Sequence, residues 1–160
     1  MKIVKKTRAF LKLNMKMKLL LIESFCHLGR ARYLKSIPFS KVAPSLGKQM
    51  KETTFTLNAS NKEELACISK AIDIASHYTF WESQCLVKAI AGMKMLEKRK
   101  IESTLYLGTA KDEKGELIAH AWLRSGPFYI SGAEVMGRFT TVAKFAKEIG
   151  GNELEKDGSV

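Results

Sequence analysis

Apolar residues recur every three or four positions along two stretches of this chain and alternate with polar ones along others. Leu65, Ile68, Ala71, Ile72 and Ala75 predict a helix over 62–76, with Ser60 as its candidate cap. Leu86, Ala89, Ile90, Met93 and Leu96 predict a second helix over 84–100, buried along that stripe and wet along Lys88, Lys94, Glu97 and Lys98. The period then shortens. Residues 103–109 read as a strand, 111–116 as a charged turn, 117–124 as the antiparallel partner, and Ser125-Gly126-Pro127 turns the chain into a further extended segment, 128–131. A last helix is expected over 140–149, with a frayed tail after Gly150.

Upstream, residues 3–28 read as a helix stopped by Gly29, and a second basic helix or turn runs to Ser36. Pro38 and Pro44 mark a connector, and the polar stretch 52–61 follows. This divides the chain into a basic helical N-terminal region with its linker (1–50), a core (51–150) and a flexible tail (151–160). Helices followed by an antiparallel meander indicate an α+β fold, with helices segregated to one face of a small sheet.

Composition adds limits. At 160 residues with 46% apolar content the chain can build one core. Cys26, Cys67 and Cys85 are odd in number and lack a C-x-x-C pair, which reads as a reducing, cytoplasmic compartment. The net charge of +11 favours acidic partners, and much of it lies in the first 50 residues, from Lys2, Lys5, Lys6 and Arg8 onward. Lysines precede Leu19-Leu20-Leu21-Ile22 as in a signal peptide, but Glu23 and His27 interrupt an apolar run too short to span a bilayer. An amphipathic helix with Phe10, Leu13, Met17, Leu20 and Leu21 near one face suits packing on its own domain, on a partner, or on a membrane surface.

Candidate chemistry centres on Cys85, where the polar run 81–84 gives way to a helix. A thiolate at a helix start meets unsatisfied backbone N–H groups and the positive end of the dipole, which lowers its pKa. Ser83 is the candidate N-cap, and the Cys85 backbone N–H is a candidate oxyanion donor. On strand 117–124, Ile118, His120, Trp122 and Arg124 share one face. If that face packs on the Cys85 helix, the imidazole reaches the thiol and can act as its base. Either residue alone fits a structural role as well. Cys26 and Cys67 fall inside helices and are expected to be inert core thiols, and His27 and His77 to be surface or cap residues. There is no Gly-rich phosphate loop, two-histidine spacing or buried carboxylate pair, so no cofactor and no metal is expected.

Taken together, Cys85-Leu86-Val87-Lys88-Ala89-Ile90-Ala91-Gly92-Met93-Lys94-Met95-Leu96, Arg99-Lys100-Ile101, Leu105-Tyr106-Leu107-Gly108 and Ala119-His120-Ala121-Trp122-Leu123 resemble the leader peptidases of lasso-peptide biosynthesis. These form a microcin-processing branch of the transglutaminase-like, papain-like cysteine-protease superfamily. Ile37-Pro38-Phe39, Trp81 and Arg138-Phe139-Thr140 fit the same pattern. The resemblance implies a bacterial cytoplasmic peptidase without cofactor, in which Cys85 is the nucleophile and His120 the base. It would remove the leader from a ribosomally made precursor peptide through a thioester. A separate leader-recognition protein and a macrocyclase are the implied partners, with the basic N-terminal third as a docking surface and peripheral membrane contact as a further option. The pattern's aspartate, about twelve residues after the histidine, falls on Gly132. Glu134 is the nearest carboxylate, and a backbone carbonyl or another polar side chain are the other candidates for orienting His120. An inactive peptide-binding relative and an acyl transferase use the same fold. Nucleic-acid binding is not expected, because aromatic residues are not interleaved with the N-terminal lysines.

Overall fold

A computed structural model describes residues 13–56 and 59–150. Helix α1 spans Met15–Lys35, opened by Asn14, whose side chain accepts the Met17 N–H at 2.8 Å. The expected stop at Gly29 does not occur. Leu28 and Ala31 on either side are buried in the core, and their burial outweighs the roughly 1 kcal/mol cost of an internal glycine. Residues 3–12 of the expected helix lie outside the described residues. Short helical turns at Phe39–Val42 and Ala43–Leu46 form the connector and lead into strand β1, Lys48–Gln49. Helix α2 spans Lys62–Ser76 and α3 spans Cys85–Lys98, both where the periodicity places them.

The strands β2 (Ser103–Lys111), β3 (Leu117–Ser125), β4 (Phe128–Ser131) and β5 (Thr140–Lys147) complete one antiparallel sheet of order β1-β5-β2-β3-β4. The fold is α+β, as the pattern predicts. The helix expected over 140–149 is instead strand β5, seated between β1 and β2 with Leu105 opposite Phe145. Its β-branched start, Thr140-Thr141-Val142, and the burial of Phe145 favour a strand once β2 and β1 offer both ladders.

Helices cover one face of the sheet. Leu105, Ala121, Leu123, Ile130 and Phe145 meet the buried side of α3, which includes Val87, Ile90, Met93 and Leu96. Each of these larger side chains contributes about 1.5–3 kcal/mol by burial. Gly92 lets α3 come close: a Cβ there would lie 2.8 Å from Leu123 Cδ2 and 3.0 Å from Ile72 Cδ1. Helix α1 packs on α2 and α3, and its buried residues join the same core.

Ion pairs tie the three helices at one end. The Arg99 guanidinium grips both Glu23 oxygens at 2.9 and 2.7 Å and donates Nε–H to Glu64 at 2.8 Å, while Lys16 reaches Glu64 at 3.1 Å. Hydrogen bonding from Arg99 holds Glu23 below its ordinary value of 4.5, against the opposing effect of burial. Burial pushes Glu64 up, but the bonds from Arg99 and Lys16 overcome it and the net shift is downward. A carboxylate with a depressed folded pKa contributes stability above its unfolded pKa and loses it as pH falls through the folded one. Stability is therefore expected to fall below about pH 4.5, and Arg99→Gln is expected to flatten that dependence. Urea midpoints at neutral pH and below pH 4.5 check this, and an unchanged slope in the variant would refute it.

The other face of the sheet carries Tyr106, Trp122 and Arg124. Arg124 is 1% exposed. Its guanidinium donates to Tyr106 Oη at 2.8 Å and to the carbonyls of Thr53, Thr54 and Gly126 at 2.9, 3.2 and 2.7 Å, and lies 3.7 Å from the Phe55 ring centroid. This pins the segment 53–55 across the sheet. Burial pushes the Tyr106 phenol up, with the Arg124 hydrogen bond opposing it.

Candidate active site

Cys85 is the first residue of α3. Gln84, extended at φ −76° and ψ −175°, is the residue before it, and its carbonyl accepts the Lys88 N–H at 3.0 Å. Gln84, not Ser83, is thus the N-cap. The Ser83 hydroxyl bonds Thr79 Oγ1 at 2.8 Å and braces the preceding loop instead. Since no side chain caps α3, the N–H groups of its first turn, Cys85 included, are left without an intrahelical acceptor. Such N–H groups can donate to an oxyanion formed at the thiol.

Cys85 lines an open cleft of about 1060 Å³ whose walls are α2, the start of α3, β4 and the segment after it. His120 and Glu134 line the same cleft. Ser69 on α2 donates its hydroxyl to the Ile130 carbonyl at 2.8 Å, fixing helix and strand across the floor.

His120 is held on several sides. Its ring stacks at 6.0 Å on Trp122, which stacks at 5.5 Å on Tyr106, and lies 5.0 Å from the Phe139 ring. Its Nε2 is 2.7 Å from the Gly132 carbonyl oxygen. A carbonyl only accepts, so Nε2 carries the proton and the lone pair is left on Nδ1. The sheet face that packs on α3 is that of Ala121 and Leu123, opposite to the one carrying His120 and Trp122. The expected route, with the histidine face lying on the Cys85 helix, is therefore not the one the chain takes. The cleft brings Cys85 and His120 together as walls of one cavity, while the imidazole's hydrogen bond runs to Gly132 and not to the thiol.

The His120 ring meets a backbone oxygen, and no carboxylate among the described residues is hydrogen-bonded to it. Gly132 ends β4 in the left-handed region at φ 77°, and a Cβ there would lie 2.3 Å from the Ala121 carbonyl oxygen. No side chain fits at this position, and what it offers the His120 ring is its backbone oxygen. Glu134 does not continue the strand. It sits in the 3₁₀ turn Ala133–Arg138, exposed at the cleft rim, so the two-residue strand alternation that would aim it at His120 does not apply.

The remaining candidates separate. Cys67 is half-buried against the core, whereas Cys26, expected inside, is exposed on α1. His77 is the C-cap residue of α2, with Nδ1 2.7 Å from the Asp73 carbonyl. His27 packs beside Glu23 at 3.9 Å, and burial lowers its pKa.

A family model described as the transglutaminase-like superfamily matches residues 33–144. The chain belongs to that superfamily. No curated protein and no solved structure matches it. The matched span of this transglutaminase-like domain runs from the end of α1 into β5 and contains Cys85, His120 and Gly132. Two site groups escape a reading by residue type. The Gly132 carbonyl belongs to a residue with no functional side chain, and Gln84, which lines the cleft beside the thiol, looks like any polar helix-start residue. The sole signal for the first was that the expected aspartate register fell on a glycine.

If the carbonyl orients His120, Glu134→Gln is expected to leave any Cys85-dependent rate within about twofold, well short of the 10²–10⁴ associated with a general acid–base role. Gly132→Asp is expected to destabilise the fold rather than restore a triad. Turnover of Glu134→Gln and the urea midpoint of Gly132→Asp check the two halves, and a large loss of rate in the first would return the role to Glu134.

Proposed function

We propose that this chain is a cysteine peptidase that removes the leader segment from a ribosomally made lasso-peptide precursor. The observation that carries the reading is Cys85 at the uncapped start of α3, sharing one open cleft with an imidazole of fixed tautomer. Membership of the transglutaminase-like superfamily supports cysteine chemistry, and the sequence resemblance supports the leader-peptidase branch. In the proposed reaction the Cys85 thiolate attacks the scissile carbonyl carbon, and the first-turn N–H groups hold the oxyanion. His120 takes the thiol proton on Nδ1 and returns it to the leaving amine. Water then cleaves the thioester, releasing the leader's carboxylate and regenerating the thiol. Alignment of thiol and imidazole completes when substrate fills the cleft. β4 is an edge strand that lines the cleft, so an extended peptide would lie beside it, where the Ile130 carbonyl is already held by Ser69. A separate leader-recognition protein, a macrocyclase that uses the freed amine and a cytoplasmic setting belong to the same proposal, which needs no cofactor.

A second reading is an inactive peptide-binding relative. It is favoured by the imidazole bonding Gly132 rather than the thiol, with no carboxylate hydrogen-bonded to His120 among the described residues. Incubating the chain with a candidate precursor and weighing the products tests the first reading: two fragments that sum to the precursor plus one water mean hydrolysis. An amine adduct means acyl transfer, which shares the thioester. The pH dependence of iodoacetamide labelling at Cys85 tests the second. An activated thiolate labels well below the free-cysteine pKa of about 8.5, and labelling that follows a free cysteine, with no fragment formed, would leave only a binding role.

A further inference from the structure

Helix α1 is apolar on two opposite sides. One side, with Met17, Leu20, Leu21, Leu28 and Ala31, is buried in the core. The other runs through Met15, Leu19, Ile22, Cys26, Gly29 and Tyr33, spaced four, three, four, three and four residues apart. Met15, Leu19, Ile22 and Tyr33 are 66%, 61%, 57% and 69% exposed. A surface helix needs one apolar stripe to hold its place. The second stripe follows the seven-residue repeat of a helix–helix seam, and an exposed apolar patch of this extent marks an interaction site.

The patch continues past α1. Phe25 lies 4.9 Å from the Trp81 ring, Phe80 lies 4.5 Å from it and is 90% exposed, and Gly29 passes beneath the indole. Its borders are basic. Lys18, Arg30 and Arg32 make no ion pair among the described residues, whereas Lys16 and Glu23 on the same borders are paired with Glu64 and Arg99. A second copy of this chain would set these cations against their like. The chain's own residues 1–12 carry five cations and no acid, so they do not complement the seam either. A bilayer surface rewards bulky apolar residues throughout the face, whereas small residues, Cys26 and Gly29, lie near the middle of this one.

We propose that the outward face of α1, with Phe80 and Trp81, is a docking seam for an amphipathic helix of a partner protein that has apolar residues at heptad spacing and Asp or Glu beside them. The partner's acids meet Lys18, Arg30 and Arg32, and its apolar residues cover the seam. The loop that carries Phe80 and Trp81 leads directly to Cys85, so a docked helix rests against the segment that sets the first turn of α3. The surface stands independently of what Cys85 catalyses.

The test uses the full chain and a synthetic acidic heptad helix matching the 21 residues of α1, with Ile and Leu along its seam and Glu beside it. Controls are the same peptide with Lys in place of Glu, vesicles of phosphatidylglycerol, and the protein alone at rising concentration. Alkylation of Cys26 by N-ethylmaleimide, located by peptide mass, reports cover of the seam. Saturating acidic helix is expected to slow it by about tenfold or more, with the protection weakening as salt rises. Leu19→Glu with Ile22→Glu, both exposed positions, is expected to abolish the protection while the urea midpoint stays put. Equal protection by the lysine peptide, protection by vesicles or self-association alone, or none at all would overturn the proposal.

Discussion

Cys85→Ala is expected to reduce precursor cleavage by roughly 10³–10⁶-fold while leaving peptide binding and the urea midpoint close to those of the parent. The reasoning starts from position: Cys85 is half-buried where it lines the cleft and packs only partly against the core, so alanine removes the sulfur at a small packing cost. What is lost is the thioester route itself, because neither the first-turn N–H groups nor His120 can substitute for the nucleophile. Cys67→Ala and Cys26→Ala should leave the rate unchanged, since Cys67 packs against the core and Cys26 faces outward on α1. Steady-state rates for the three variants, with fluorescence-detected peptide binding alongside, check the claim. Undiminished cleavage by Cys85→Ala would end the peptidase reading of this site.

Arg124→Met is expected to destabilise the fold by about 3–5 kcal/mol. The change strips the donor from the Tyr106 hydroxyl and from the carbonyls of Thr53, Thr54 and Gly126, and a buried acceptor left unpaired costs about 1–3 kcal/mol. It also removes the guanidinium from the Phe55 face, worth about 0.5–2 kcal/mol. One term runs the other way: a buried cation whose partners are neutral is costly to desolvate, and methionine avoids that cost. The orphaned acceptors outweigh it because two of them, the Tyr106 hydroxyl and the Thr53 carbonyl, are buried. Lysine at 124 should not rescue, because its ammonium cannot present the planar fork that reaches all four. Urea denaturation measures the loss, and the segment 53–55 should become the first part cleaved by protease in the variant. A midpoint equal to or above the parent's would show that Arg124 is not what holds that segment down.

Helices α2 and α3 were legible because long amphipathic stripes bury only one way. The meander β2-β3-β4 was legible because alternation and turn chemistry agree over 103–131. Strand β5 was not, because the run Ala143-Lys144-Phe145-Ala146-Lys147 has helix-like composition, and only ladders on both sides overrule it. Gly29 misled for a related reason: a glycine ends a helix in isolation, but α1 is held on both sides of it by Leu28 and Ala31. The buried face of α1, with Met17, Leu20 and Leu21, was visible as a stripe, whereas the outward seam was obscured by it, since two opposed apolar stripes leave no net polarity to detect.

Sequence by itself determined the α+β class, the superfamily and the placing of Cys85 at a helix start, because each depends on local periodicity or on a run of neighbouring residues. Only the tertiary structure decided which sheet face meets α3, which atom holds the His120 ring, and which side of α1 is left to solvent. Those are choices between two faces of one element, and local propensity is the same for both. They are settled by close approach: Gly92 under Leu123, and at Gly132 an Ala121 carbonyl so near that backbone alone can stand where a carboxylate was expected.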